Sequence, residues 1–158
     1  MTGLTLEPFS DIRDGIMSYA LFAEQKQQEF LQLHLPSPTL EQLIRSQYDI
    51  REQSYSASYA DYQKLTVMLE NQPIGILRIG RAQLTACLRL VDIVIDKTHR
   101  CQGIGHQVLE QFFELARAKA LHVDLHVQKD NPALRLYQRL GFCICGETEL
   151  HLYLKKLL

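Results

Sequence analysis

A short loop with two glycines is the stretch of this sequence whose residues are best suited to bind a ligand. It spans Arg100–Gly105 and follows Leu88–Ile95, a run rich in β-branched residues that is typical of a buried strand. Beyond the loop, apolar residues recur at helical spacing as far as Ala116. A loop that opens a helix points unpaired backbone N–H groups outward at the positive end of the helix dipole. The sequence therefore predicts an anion site, and a phosphate is the anion that we expect.

The amino-acid sequence of the loop distinguishes between the common phosphate-binding motifs. A nucleotide P-loop ends in Gly-Lys-Ser/Thr, whereas Gly105 is followed by His106 and Gln107. A dinucleotide-binding loop needs a third small residue where Val108 stands, and its acidic partner has only Asp124 as a weak candidate. The first motif is excluded, and the second remains as a poorer alternative.

The spelling Arg-x-x-Gly-x-Gly resembles the acyl-CoA pyrophosphate loop of the GNAT superfamily of N-acyltransferases. A second block, Leu125–Phe142, is similar to the later strand and helix of that family in its Asn-Pro-Ala start, its Leu-Tyr pair and its Leu-Gly-Phe end. The two blocks lie in the family's order, and with the preceding strand the resemblance covers roughly Leu88–Phe142. The resemblance implies a GNAT acetyltransferase.

Acyl transfer from a thioester to an amine first needs a bound donor, and the resemblance assigns residues to that task. The loop amides bind the pyrophosphate of acetyl-CoA, and Arg100 adds a positive charge. In the family, two parallel strands splay apart and the pantetheine arm pairs with the exposed backbone, while one amide polarises the thioester carbonyl. Asn131 caps its helix and contacts the cofactor. The implied donor-binding residues are Ile93, Val94, Ile95, Arg100, Cys101, Gln102, Gly103, Ile104, Gly105 and Asn131.

The leaving thiolate needs an acid, and the attacking amine needs a base. Tyr137 matches the tyrosine that is the acid in many family members, and a phenol pKa near ~10 is close to that of a thiol. The alternative is a core tyrosine that shares a helix face with Leu134 and Leu140. For the base we rank Asp92, a carboxylate inside an apolar strand, slightly ahead of His126, which lies near the glutamate base of several family members. A water relay without a single base stands equal to either.

Each base candidate also has a structural interpretation. Asp92 is then a hydrogen-bonded group that holds the splayed strands, and His122 and Asp124 simply face water on the same strand face as His126. The parity of the strand does not decide between the candidates, because a β-bulge can occur in this region.

The elements that position these residues follow from apolar periodicity and turn signals. Ile12, Ile16, Tyr19, Ala20 and Ala23 predict the buried face of a first helix, which extends toward His34. We expect Ser37 or Thr39 to cap a second helix, which buries Leu40, Leu43, Ile44 and Tyr48 and runs into the low fifties. The tyrosine-rich stretch Ser54–Tyr62 predicts a connecting loop, with Tyr48, Tyr55 and Tyr59 as weaker candidates for a substrate wall.

The remaining strands predict an α/β fold built on one mixed sheet. We expect about seven strands, mostly antiparallel, with one central splayed parallel pair around Val94 and Leu125, and about four helices on both faces. At 158 residues, the chain suits a single domain over 1–158. Its turn at Gly80–Gln83 leads into the strand before the loop.

Composition limits the partners. A net charge of -1 gives no footprint for nucleic acid, and no apolar run approaches the ~20 residues that span a bilayer. The four cysteines lack a CxxC spacing, so we expect no metal site and free thiols in a cytoplasmic protein, with Cys101 exposed.

The function that we expect is N-acetylation of a small-molecule or peptide amine by direct attack in a ternary complex with acetyl-CoA. A non-catalytic acyl-CoA-binding or sensor domain is the alternative, and a nucleotide-binding module is a third. Homodimers are common in the resembled family, and the last strands could form such an interface. The sequence leaves the acceptor amine open.

Overall fold

A computed structural model describes residues 3–82 and 84–158 of the chain. The helices are α1 (Asp11–Phe30), α2 (Ser37–Ser58), α3 (Ile104–Ala118) and α4 (Leu134–Arg139), with single 3-10 turns at Leu31–Leu33 and Lys97–His99. The strands are β1 (Leu4–Pro8), β2 (Ala60–Leu69), β3 (Gln72–Arg81), β4 (Cys87–Ile95), β5 (His122–Gln128), β6 (Cys143–Glu147) and β7 (His151–Lys156). Of the turn expected at Gly80–Gln83, the first two residues belong to β3 and Gln83 lies outside the described residues.

The strands form one seven-stranded sheet in the order β1-β2-β3-β4-β5-β7-β6. Neighbouring strands are antiparallel except β4 and β5, which are parallel. The expectation of a mixed sheet with one parallel pair and four helices is confirmed. The parallel pairing joins Cys87–Leu90 to His122–Leu125, and Val94 lies beyond the paired segment of β4.

The two faces of the sheet differ in polarity. One face packs against α3, whose Val108, Leu109, Phe112 and Phe113 are at most 1% exposed and belong to the main apolar core. On the other face, α1 and α2 cover strands that carry buried polar side chains, among them Thr66 and Arg78. The helices that lie on this second face must therefore supply polar partners.

Helix α1 faces the sheet with the side opposite to the one that its apolar periodicity predicts. Ile12 and Ile16 are 100% and 88% exposed, whereas Asp14 and Ser18 are buried together with Leu21 and Phe22. Asp14 Oδ2 accepts hydrogen bonds from the Thr66 hydroxyl at 2.7 Å and from the Ser10 amide at 3.0 Å. Polar contacts with the second face of the sheet decide which side of α1 is buried. Apolar periodicity contains no information about such contacts.

Helix α2 is longer than predicted and begins without the expected cap. Its N-cap residue is Pro36 and no side chain caps it, so the assignment to Ser37 or Thr39 is wrong. The helix continues through Ser58, and β2 begins at Ala60, so the loop predicted at Ser54–Tyr62 is also wrong. The last helical turns contact the sheet through charged groups, since Glu52 pairs with Arg78 and Lys64. Ile44 is buried as expected, and Tyr48 is half-buried.

Strand β4 contains a β-bulge at Val91. Arg78 of β3 pairs with Asp92, while the next residue, Ile79, pairs with Leu90, so Val91 has no partner in the register. The extra residue places Leu90 and Ile93 on the α3 face and Asp92 on the opposite face. In the described part of the chain, no helix is long and apolar enough to cross a membrane.

Candidate active site

The loop before α3 has the backbone geometry of an anion site. Gly103 is the N-cap of α3 with φ +79°, and Cys101 also has a positive φ of +59°. A Cβ at Gly103 meets nothing within 4 Å, so the approach to the loop backbone is open. Among the described residues, none accepts a hydrogen bond from the amides of Ile104 and Gly105, the first two residues of the helix. These amides remain available to a ligand.

A cavity of about 610 Å³ adjoins this loop. One wall is the loop itself, with Arg100, Cys101, Gly103 and Gly105, and the opposite wall comes from the start of α4 and the end of β4. The Arg100 Nε–H donates to the Ile95 carbonyl at 2.8 Å, which fixes the arginine across the mouth of the loop. Gln102 also donates within the loop region, to the Thr98 carbonyl at 3.0 Å.

Strands β4 and β5 separate just beyond their paired segment. Within the described residues, no β4–β5 pairing extends past Leu90 and Leu125. The gap holds a cavity of about 160 Å³, and its lining includes Asp92, His126 and Tyr137. The three candidate catalytic side chains therefore meet at one place, although they come from β4, β5 and α4. Asn131 lines the same cavity.

Tyr137 is both a core residue and a wall of the cleft. It is 6% exposed, and its ring packs edge-on against Phe142 with centroids 5.8 Å apart. Burial, together with the negative charge of Asp92, raises the pKa of Tyr137 to about 12. The phenol is therefore protonated at neutral pH, as a proton donor must be. The core packing that the sequence offered as an alternative is present as well.

Asp92 is not the isolated carboxylate that its apolar surroundings in the sequence suggested. Its Oδ2 accepts from Arg78 Nη1 at 3.2 Å and from Arg51 Nη2 at 3.3 Å. Arg78 is 1% exposed and also binds Glu52 Oε1 at 2.6 Å, so Asp92 is one end of a charged cluster between α2 and the sheet. No described residue donates a hydrogen bond to Asp92 Oδ1, and the side chain is 27% exposed. One carboxylate oxygen is held by the protein and the other is free to meet a ligand.

His126 reaches the cleft from β5 as a neutral side chain. Its ring lies against Tyr153, with centroids 5.0 Å apart and planes tilted by 36°. Partial burial lowers the pKa of His126, and the positive charge of Arg89 adds to this effect, while Asp124 opposes it. An imidazole whose pKa is below its ordinary value is deprotonated at neutral pH and can accept a proton.

Of the neighbours of His126 on β5, Asp124 does not face water, contrary to one sequence interpretation. Asp124 is 0% exposed, and its oxygens accept from Arg89 Nε at 2.6 Å and Arg89 Nη2 at 2.9 Å. His122 is half-buried, and its Nδ1 accepts from the Leu158 amide at 3.0 Å. Because Asp124 is fully engaged, the dinucleotide-binding alternative loses its acidic partner.

The remaining candidates divide between the cleft and the scaffold. Asn131 Oδ1 accepts from the Ala133 amide at 2.8 Å, so it caps the turn before α4 rather than the helix itself, which begins at Leu134. The Tyr48 hydroxyl bonds Ser18 at 2.8 Å inside the α1–α2 interface, and it does not line the cleft cavity. Tyr55 and Tyr59 pack beside each other, with ring centroids 6.5 Å apart.

Two groups of site residues escaped the sequence analysis. Arg51, Glu52 and Arg78 form the charged cluster behind Asp92. A signal for Arg78 existed, since it interrupts an apolar strand next to the strand that Asp92 interrupts, with the opposite charge. The second group is the C-terminal half of α1, where Glu24 and Gln28 line a cavity of about 580 Å³ together with Ile93–Ile95. No motif marks that part of the helix.

A search of residues 3–82 and 84–158 finds no group of three or more His, Cys, Asp or Glu side chains placed to hold a metal ion.

Fold and cleft agree with what comparison with known proteins finds. Residues 27–142 match the sequence profile of the acetyltransferase (GNAT) family. The match covers well over half of the chain, and the protein belongs to this family.

Individual relatives fit this assignment. The streptothricin acetyltransferase of Streptomyces lavendulae is 32% identical over 74 residues, which cover 46% of this chain and 39% of that protein. The match therefore spans well under half of the relative's length. The PaiA N-acetyltransferase of Thermoplasma acidophilum, solved in complex with coenzyme A, superimposes with a TM-score of 0.73 at 17% identity and 99% coverage of both chains. An acetyltransferase of Thermus thermophilus gives a TM-score of 0.69 at 21% identity, over 98% of this chain and 97% of that one. These structures confirm the GNAT fold.

Proposed function

We propose that residues 1–158 act as one acetyl-CoA-dependent N-acetyltransferase domain, which transfers the acetyl group to a primary amine of a small molecule or peptide by direct attack in a ternary complex. One observation carries the proposal: Tyr137, Asp92 and His126 line a single cavity in the gap between β4 and β5. That cavity and the one beside the loop share Ile93, Ala133 and Tyr137 in their walls. A donor held at the loop can thus reach the three side chains.

The donor is bound mainly by backbone. The free amides at the start of α3 take the pyrophosphate, and the helix dipole favours its negative charge. Arg100 adds a charge at the mouth of the loop, and Cys101 and Gln102 contribute their main chain. The pantetheine arm runs along Ile93–Ile95, where β4 has lost its β5 partner, and an amide of this segment polarises the thioester carbonyl. Asn131 borders this path.

The acceptor binds as an ammonium and must lose a proton before it attacks. Asp92 Oδ1 is the group that we propose to bind it, because this oxygen has no partner among the described residues and Asp92 lines the cavity. His126 then accepts the proton. We favour His126 over Asp92 as the base because two guanidinium groups hold the Asp92 carboxylate, whereas the imidazole is neutral.

Transfer then follows in balanced steps. The neutral amine attacks the thioester carbonyl carbon, and an N–C bond forms as the oxygen takes up the negative charge. The tetrahedral intermediate collapses with cleavage of the C–S bond. Tyr137 donates its proton to the leaving thiolate, and the attacking nitrogen loses its second proton, which restores the phenol. The neutral amide and free coenzyme A remain, and His126 releases the first proton to solvent.

The proposal is tested by the release of free thiol from acetyl-CoA in the presence of a panel of amines. The panel contains a polyamine, an amino acid amide, a peptide with a free N-terminus, and streptothricin because of the named relative. Turnover with at least one amine, together with loss of turnover in Tyr137→Phe, is the expected result. Acetyl-CoA binding without turnover of any amine indicates the non-catalytic acyl-CoA-binding domain.

Calorimetry with acetyl-CoA, ATP and NAD separates the donor classes. We expect binding of acetyl-CoA alone, since the loop lacks the lysine of a P-loop and Asp124 is bound to Arg89. Binding of ATP or NAD without binding of acetyl-CoA contradicts the proposal.

A further inference from the structure

Four side chains on β4, β5 and β7 form a chain of contacts that ends at His126. They are Arg89, Asp124, Tyr153 and His126, and we call them the Tyr153 cluster. They lie on the face of the sheet opposite α3, beside the cleft. The proposed transfer assigns a role to His126 alone, so the other three need a separate explanation.

The cluster is built on a buried ion pair between Arg89 and Asp124. Arg89 donates to both oxygens of Asp124, at 2.6 and 2.9 Å, and the two side chains are 12% and 0% exposed. The guanidinium carbon lies 5.9 Å from the ring centroids of both Tyr59 and Tyr153. A bidentate pair with aromatic rings beside it is held in one geometry, because any rotation breaks a charge-assisted hydrogen bond.

Tyr153 connects this pair to the imidazole. Its hydroxyl donates to Asp124 Oδ2 at 2.8 Å, which anchors the far end of the ring. Tyr153 and His126 face each other directly across the β5–β7 register, and their ring centroids are 5.0 Å apart. The anchored ring therefore covers one side of the imidazole and restricts how it can turn.

We propose that Tyr153 is a positioning residue for His126: its ring orients and partly desolvates the imidazole that faces the amine, and the Arg89–Asp124 pair holds Tyr153 in place. This inference rests on the proposed function, in which His126 is the base. His126 stands on a strand and is otherwise exposed, so we assign the orientation of its imidazole to the Tyr153 ring.

Several charged and titratable groups face His126 and, together with burial under the Tyr153 ring, set its protonation. Arg89 acts from β4, Asp124 from β5 itself, and Tyr153 and His151 from β7. Asp92 and Tyr137 line the same cavity from β4 and α4. Partial burial is the largest influence on the pKa of His126 and lowers it, Arg89 and His151 act in the same direction, and Asp124 opposes them. Removal of the covering ring should therefore move the pKa of His126 upward, toward its ordinary value.

The test follows the imidazole C–H signals of His126 by NMR during a pH titration of the unliganded protein. Tyr153→Leu removes the ring and keeps apolar volume, and we expect the His126 titration to move to higher pH. Tyr153→Phe retains the ring but loses its bond to Asp124, and we expect a smaller move in the same direction. His151→Gln removes an exposed imidazole that also lowers the pKa of His126, and a small upward move is expected. His34→Asn is the control, because His34 is exposed, distant in sequence and in a left-handed conformation that Asn tolerates.

Turnover supplies the second readout. In Tyr153→Leu we expect kcat to fall about tenfold or more, because a displaced general base loses its alignment. The acidic limb of kcat/KM should move to higher pH in step with the NMR titration, while the affinity for acetyl-CoA stays unchanged. Tyr153→Phe should retain more activity than Tyr153→Leu but less than the wild type, because the ring still covers the imidazole without its anchor on Asp124.

Two results overturn the inference. One is a His126 titration in folded Tyr153→Leu that equals the wild type. The other is the absence of a nuclear Overhauser contact between the His126 and Tyr153 rings in the wild-type protein, which needs no variant. If the ring contact and the titration shift are found but His126→Gln retains full turnover, the proposed base is wrong while the positional relation stands.

Discussion

At the residue scale, Tyr137 combines two tasks that the sequence presented as alternatives. It packs into the apolar core beside Phe142, and it lines both the loop cavity and the cleft. Because burial raises its pKa to about 12, the phenol keeps its proton across the physiological range. Packing thus helps the proposed chemistry, since it fixes the ring and preserves the acid form.

Replacement of Tyr137 by Phe separates these tasks. Phe keeps the ring in the core, so we expect a free energy of unfolding within about 1 kcal/mol of the wild type. Turnover should fall about 100-fold because the leaving thiolate loses its proton donor, and acetyl-CoA affinity should remain nearly intact. Steady-state kinetics and calorimetry measure the two quantities. Unchanged turnover assigns the proton to another donor.

Asp14 is the residue whose burial most contradicts its chemical type. Burial alone raises the pKa of Asp14, but hydrogen bonds from Arg13, Thr66 and the Ser10 amide outweigh it and leave the pKa below its ordinary value. The folded state therefore favours the ionised form, and the resulting stability is present above the ordinary carboxyl pKa of 3.8. It is lost as the pH falls through the lowered value.

We expect Asp14→Asn to reduce the free energy of unfolding by about 2 kcal/mol at pH 7, because the amide cannot accept all of these bonds. The difference from the wild type should shrink below pH 4, where the wild-type carboxylate also takes up a proton. Asp11→Asn is the matched control, since Asp11 is exposed in the same first turn and should change stability by about 0.5 kcal/mol. Denaturant unfolding at the two pH values checks both variants, and equal losses in both contradict the assignment.

At the element scale, the sequence predicted the elements that local apolar and glycine patterns specify. It did not predict the features that depend on polar contacts between distant residues. Helix α3 follows its loop as expected, because its apolar residues pack on the α3 face of the sheet. Helix α1 was placed with the wrong side inward, because Asp14 and Ser18 find partners in Thr66 and Arg78. Such partners are distant in sequence, and no periodicity reveals them.

The candidate site shows the same division. The loop and Tyr137 were recognisable because they belong to contiguous motifs. The ion pairs of Asp92 with Arg51 and Arg78 were not recognisable from the sequence, because they depend on how α2 packs on the sheet.

A helix-interior glycine offers a prediction for α1. Gly15 has no atom within 4 Å of the position that a Cβ would take, so Ala fits without strain. We expect Gly15→Ala to raise the free energy of unfolding by about 0.5–1 kcal/mol, because Ala loses less backbone entropy in a helix. In Gly75→Ala the new Cβ would lie 2.5 Å from the Val94 carbonyl oxygen, and stability should fall. Thermal unfolding compares them, and the opposite signs are the criterion.

The loop before α3 is tested by charge rather than by size. Gly103→Glu should abolish acetyl-CoA binding, because a carboxylate then stands where the pyrophosphate approaches the amides. Gly103→Ala adds a Cβ that meets no atom within 4 Å, so it carries only the strain of a positive φ, roughly 1 kcal/mol or about a fivefold loss of affinity. Calorimetry measures both affinities. Binding by Gly103→Glu equal to that of Gly103→Ala removes the loop from the donor site.

At the scale of the whole molecule, the cleft lies where an apolar layer and a charged layer meet. The α3 face carries the main core, while Arg78 joins α1, α2, β3 and β4 through Ser18, Glu52 and Asp92. Loss of one partner leaves a buried charge uncompensated. The packing of α1 and α2 and the position of Asp92 are therefore expected to change together.

Thiol reactivity reports on the whole fold and on donor binding at once. Cys87 is buried, and burial raises the pKa of its thiol, whereas Cys101, Cys143 and Cys145 are exposed. We expect three thiols to react rapidly with a disulfide reagent and Cys87 only on unfolding.

Acetyl-CoA should slow the reaction of Cys101 alone, since only this exposed cysteine lines the loop cavity. The variant Cys101→Ser is the control and should show no protected thiol. Protection that persists in Cys101→Ser contradicts the proposed place of the donor.

The unpaired residue Val91 divides β4 into two segments that can change separately in evolution. Leu88 and Leu90, before the bulge, belong to the core, while after it Asp92 lines the cleft and Ile93 lines the loop cavity. Substitutions in the second segment can alter what the cleft accepts without repacking the first. If Val91 instead took a regular place in the strand, the two sides of that segment would be exchanged and Asp92 would turn toward the core. The bulge therefore decides which residues of the second segment face the cleft.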